Sequence, residues 1–163
     1  MKTIFLVRHA KSSWGDLTVS DFDRPLSDRG QRNAPEMAQR LTLRGAKIDQ
    51  FISSTAKRAV QTALHFMKAF ERNPEEIVLR NDMYHAMPEV YYEVMAGLDD
   101  QLNAVALFGH NPGISLLVNE LTDVRLDDMP TCGVFAFELE STHWKNIRSA
   151  RKNFLFFDAP KTV

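Results

Sequence analysis

The sequence predicts a three-layer α/β/α sandwich with a mostly parallel central sheet. Short β-branched or aromatic runs alternate with segments whose apolar residues recur at helical spacing, the pattern of parallel strands joined by covering helices. The 163 residues, 44% hydrophobic and 25% charged, suit one soluble globular domain, 1–163, with a single substantial core. No internal repeat, low-complexity tract or linker interrupts the chain.

The first strand is read at residues 4–7 (Ile4, Phe5, Leu6, Val7), and it stops at Arg8-His9. A strand that leaves the core and at once presents a guanidinium and an imidazole delivers both to the carboxyl edge of a sheet, where open α/β folds bind ligands. Residues 11–24 then form a polar and aromatic loop long enough to fold over that edge and line a pocket. Lys11 and Ser12 at its start are candidate substrate-binding residues.

Ser27 is the expected N-cap of the first helix, with Ala34, Met37, Ala38 and Leu41 on its apolar face, Gly45 as terminator and Pro35 as a kink. A second strand is read at 48–52. Thr55 is then the expected N-cap of a helix carrying Val60, Leu64 and Met67, with Arg58 in its first turn, where free N–H groups and the helix dipole favour an anion. A weaker strand at 76–79 precedes a loop with Tyr84 and His85, and Pro88 opens a helix containing Val90, Tyr91, Val94 and Met95. The strand at 104–108 runs into Gly109-His110-Asn111-Pro112-Gly113 and a helix with Ile114, Leu117, Val118 and Leu121. Strands at 134–139 and 154–157 close the pattern.

Composition narrows the function. Net charge is −1, with Lys and Arg spread along the chain, so no basic footprint for nucleic acid is visible. No apolar run is long enough to span a bilayer, and Arg8 cuts the N-terminal run short of a signal peptide. The lone Cys132 has no partner for an internal disulfide, which agrees with a reducing, cytoplasmic setting.

Two Arg and two His at three strand ends suit a tetrahedral oxyanion. Arg offers a planar fork that matches phosphate oxygens. Neutral His can act as nucleophile or base, and a second, protonated His can donate to a transferring oxygen. Other phosphate chemistries fit poorly. A Cys-based loop needs Arg six residues after its Cys, but Glu138 stands there after Cys132. There is no P-loop, and no Asp/His clustering at metal-ligand spacing, so the expected activity needs no metal or cofactor.

Arg8-His9-Ala10, the segment from Ser53 through Arg58 to Ala63, and Gly109-His110-Asn111-Pro112-Gly113 together resemble the histidine phosphatase (phosphoglycerate-mutase-like) superfamily. The segment from Asp21 through Pro25 to Gly30 is similar to its SixA-type phosphohistidine phosphatase branch. The resemblance implies that His9 is the nucleophile that becomes phosphorylated, within a phosphate pocket of Arg8, Arg58 and His110. Larger relatives carry a glutamate proton donor in an insertion absent here, and Glu89 is the nearest candidate for that role. Ala10 stands where many relatives have Gly.

An alkoxide leaving group needs a proton in the transition state, whereas the imidazole of a phosphoramidate can leave already protonated. The expected substrate is therefore phosphohistidine in a protein, such as a phosphohistidine-bearing signalling domain. A phosphatase, or less readily a mutase, for small phosphate esters and a catalytically silent phospho-ligand binding module are the alternatives. Lys57, His65 and His143 read as structural or solvated residues, and His85 as one whose loop could reach the pocket rim.

Overall fold

Six strands form one sheet in the computed structural model, which describes residues 1–161. They are β1 (Lys2–Arg8), β2 (Gln50–Ser54), β3 (Val78–Arg80), β4 (Ala104–Gly109), β5 (Val134–Leu139) and β6 (Lys152–Asp158), in spatial order β3-β2-β4-β1-β5-β6. The pairings among β1 to β4 are parallel, while β5 pairs antiparallel with both β1 and β6. The sheet is thus mostly parallel, with β5 the one reversed strand.

Helices cover both faces. Alternation along β1 sends Phe5 and Val7 into the cluster containing Met37 and Leu41 of α1 (Asp28–Leu43) and Phe66 and Met67 of α2 (Lys57–Ala69). Ile4 and Leu6 face the opposite cluster, with Tyr91 and Val94 of α3 (Pro88–Ala96) and Ile114 and Leu117 of α4 (Gly113–Leu121). Fully burying an aliphatic side chain of this kind stabilises by about 1.5–3 kcal/mol. No helix among the described residues is long and apolar enough to cross a membrane.

The helix signals act as their chemistry predicts in three places. Ser27 accepts from the Gly30 amide, Gly45 follows α1 with φ +77°, and Pro88 is the first residue of α3. The helix α1 runs as one element through the exposed Pro35. Three local expectations are corrected. Strand β2 lies two residues later than expected, because Ser53 and Ser54 pair with Leu79 and Arg80 of β3, and the Asp49 carboxylate caps the amides of Asn103 and Ala104. Strand β3 also starts late, since Asn73 caps a 3₁₀ turn at Pro74–Glu76. Ala56, not Thr55, is the N-cap of α2; Thr55 Oγ1 instead donates to Asn81 Oδ1 at 2.7 Å.

Candidate active site

Parallel pairing places the carboxyl ends of β1, β2 and β4 on one edge of the sheet. The register sets Arg8 beside Gly109, and the His9 amide donates to the Gly109 carbonyl at 3.1 Å. His9 and His110 therefore leave the sheet side by side, with ring centroids 5.2 Å apart. Cys132, at φ +59°, directs its amide to the carbonyls of Arg8 and His9 and so closes the β1 end from the other side.

His9 Nδ1 lies 2.8 Å from the Ala10 carbonyl oxygen. A carbonyl only accepts, so Nδ1 carries the hydrogen and Nε2 keeps its lone pair. Arg58 Nε points at that nitrogen from 3.4 Å. The backbone beneath is tied down, with the Ala10 amide donating to Thr62 Oγ1, which donates to the Arg58 carbonyl. Ala10 is not among the residues with positive φ, so alanine fits where relatives carry glycine.

A cavity of about 210 Å³ opens here, lined by Arg8, His9, Lys11, Ser12, Trp14, Asp21, Arg24, Arg58, His85, His110, Asn111 and Thr131. Three guanidinium groups converge on it, each anchored from behind. Arg8 Nη1 donates to the Met129 carbonyl at 2.7 Å. Arg24 donates to Ser12 Oγ and, through Nε and Nη2, to Asp21 Oδ1. Arg58 Nη1 and Nη2 hold the Asp21 carbonyl and Oδ2. Among the described residues, the buried side-chain polar atoms without a partner are Arg8 Nε and His110 Nδ1. Both belong to residues of this cavity. A buried donor left unpaired costs about 1–3 kcal/mol, and an anion accepting from both would recover it.

Burial pushes the His9 imidazole down to about 3; the Ala10 carbonyl opposes this, while Arg58, Arg8 and Arg24 add to it. Burial also lowers His110, to about 2, aided by the neighbouring His9, Arg58 and His85. Both rings are neutral at physiological pH, which corrects the expectation of a protonated second histidine. The positive charge of the site resides on its arginines. Burial works against the charged form of Asp21, but hydrogen bonds from Tyr84, His85 and Arg24 and the charge of Arg58 outweigh it and hold the carboxyl below the usual range.

The structure thus brings together Arg8, His9, Lys11, Ser12, Arg58 and His110. It does not bring Glu89 to them. That residue is exposed, pairs with Arg148 Nη2 at 2.6 Å and lines a separate cavity with Pro88, Tyr92 and Glu120, because the first turn of α3 faces away from the β1 edge. Lys57 is exposed, His65 meets Gln31, and His143 pairs with Asp100. Asp21, Arg24 and Tyr84 are site residues that the sequence reading did not single out. Asp21 and Arg24 lie in the segment that carries the SixA-type resemblance, which was the available signal. Among the described residues no group of three or more His, Cys, Asp or Glu is arranged to hold a metal ion.

Fold and site together define an α/β protein of the phosphoglycerate-mutase-like type with an arginine-lined pocket at the β1 edge. The sequence model of the histidine phosphatase superfamily (branch 1) matches residues 4–83. An uncharacterized protein of Mycobacterium tuberculosis is 28% identical over 95% of this chain and 100% of its own length. The crystal structure of SixA from Agrobacterium tumefaciens, described as a candidate phosphohistidine phosphatase, is 27% identical, covers 98% of this chain and 99% of its own, and superposes with a TM-score of 0.82. SixA from Nakamurella multipartitia, described in the same way, covers 99% and 97% at 21% identity with a TM-score of 0.83, a likeness of fold. The family model and the structural likeness support the histidine phosphatase superfamily, with SixA proteins among the structural neighbours.

Proposed function

We propose that this single-domain chain is a phosphatase that moves a phosphoryl group from phosphohistidine in a protein to His9 Nε2 and then to water, without a metal ion. The observation that carries the reading is the pair of unpartnered buried nitrogens, Arg8 Nε and His110 Nδ1, on residues that line the cavity holding His9. A tetrahedral oxyanion is the acceptor they lack.

In the first step, His9 Nε2 attacks phosphorus while its Nδ1–H stays on the Ala10 carbonyl, so the developing imidazolium is stabilised where its charge appears. Arg8, Arg58 and Arg24 neutralise the phosphoryl oxygens, and His110 donates through Nδ1–H when Ser54 Oγ donates to its Nε2 across 2.8 Å. Lys11, exposed at the rim, adds positive potential, and Ser12 holds Arg24.

The substrate class follows from the leaving group. Asp21 is the one carboxylate of the cavity lining among the described residues, and its oxygens accept from Arg24, Arg58, Tyr84 and His85. An ionised, fully engaged carboxylate is a poor proton donor for an alkoxide, whereas imidazole leaves without one. The SixA of Agrobacterium tumefaciens is described with that same substrate class. The buried Cys132 thiol fits a cytoplasmic setting.

The test is phosphate release from a phosphohistidine peptide in chelator, by wild type and His9→Ala, beside a phosphoserine peptide. Wild-type turnover that His9→Ala loses, with the ester left intact, supports the reading. Equal rates on the two peptides would overturn the substrate class, and turnover retained by His9→Ala would overturn the nucleophile.

A further inference from the structure

The loop between β3 and α3 presents one cavity residue that the first step does not use. His85 sits at φ +53°, a left-handed conformation that non-glycine residues adopt uncommonly and that is often found at functional sites. Its position is enforced from beneath, since a Cβ on Gly113 would lie 1.7 Å from the Ala86 carbonyl oxygen. The loop backbone therefore rests directly on the start of α4. The His85 ring packs against Tyr84 with centroids 4.2 Å apart and planes tilted by 35°, and lies 5.2 Å from His110.

His85 Nε2 is 2.9 Å from Asp21 Oδ2. An ionised carboxylate only accepts, so Nε2 carries the hydrogen, and the neutral tautomer compatible with this contact has its lone pair on Nδ1. The side chain is half exposed, which admits water. The other candidate bases of the cavity are engaged: His9 is the nucleophile, His110 is buried with Nε2 on Ser54, and the Asp21 oxygens are filled by donors. An imidazole oriented by a carboxylate, beside the phosphoryl site and open to solvent, has in its neutral form the attributes of a general base.

We infer that His85, held by Asp21, is the catalytic base that activates water for hydrolysis of the phospho-His9 intermediate. The inference rests on the phospho-His9 reading above. Water oxygen bonds to phosphorus, the phosphorus–Nε2 bond breaks, and its electron pair returns to His9 Nε2. The water proton passes to His85 Nδ1. Inorganic phosphate departs, His9 is again neutral with Nδ1–H on the Ala10 carbonyl, and His85 releases its proton to solvent. The role is confined to the second step, because the imidazole leaving group of the first requires no acid.

The experiment is rapid quenching with excess phosphohistidine peptide, reading phosphoenzyme by intact mass beside steady-state phosphate release. Wild type, His85→Asn, His85→Gln and His9→Ala are compared; Asn tolerates positive φ, and Gln retains a donor for Asp21. Both His85 variants are expected to form phosphoenzyme at the wild-type rate, to accumulate it, and to turn over about 10²-fold more slowly. Phosphoenzyme that forms but does not accumulate, or wild-type turnover in both variants, overturns the base assignment and leaves the His9 reading standing. Wild type that turns over with no phosphoenzyme, matched by an active His9→Ala, overturns the His9 reading itself.

Discussion

Arg58 grips Asp21 through two donors, Nη1 to the main-chain oxygen at 2.6 Å and Nη2 to Oδ2 at 3.1 Å. This leaves Nε for His9 Nε2. One guanidinium thus fixes the 11–24 loop over the pocket and sets the charge beside the nucleophile. Lysine keeps the charge but not the fork. Arg58→Lys is expected to keep the fold and lower kcat/KM by about 10²–10³-fold, the scale for losing one preorganised donor at a developing charge. Circular dichroism and steady-state kinetics check both halves, and near wild-type kinetics would show that the fork is dispensable.

Burial of the two histidines has a pH signature. The unfolded chain protonates them near ~6.5, whereas folded His9 waits until about 3 and His110 until about 2. Between these values the unfolded state binds more protons, so stability is full above the unfolded value and falls with pH below it. From about pH 7 to about pH 5, wild type is expected to lose of order a few kcal/mol, and His110→Asn less. Urea titrations at the two pH values measure this; equal losses would remove His110 as a source.

Gly113 supports the site through backbone contact. A Cβ there would meet the Ala86 carbonyl oxygen at 1.7 Å and Met87 Cα at 3.3 Å. Since the nearest of these are backbone atoms, the loop or the start of α4 must shift. Gly113→Ala is expected to cost about 1–3 kcal/mol, to lower Tm by several degrees, and to reduce turnover by displacing His85. An unchanged Tm would show that the loop yields without cost.

Glu89 lies outside the site, on an exposed pair with Arg148. Exposed ion pairs of this kind contribute about 0–1 kcal/mol. Glu89→Gln is expected to leave kcat, KM and thermal stability close to wild type. A large fall in kcat on phosphohistidine would restore Glu89 as a proton donor.

The sequence by itself determined the sandwich and the strand ends that deliver Arg8, His9 and His110, because apolar periodicity and caps are local properties of the chain. The Ser27 cap, the Gly45 terminator and the Pro88 start follow from the same local chemistry. Tertiary structure decided what lies between those ends. Ser53 joins β2 by pairing with Phe108 of β4 and Leu79 of β3, Ser54 by pairing with Arg80 of β3, and α3 presents Glu89 away from the pocket. Asp21 meets Arg58, 37 residues on, and His85, 64 residues on. No spacing rule reaches across such separations, since a loop's conformation is set by the distant groups that satisfy it.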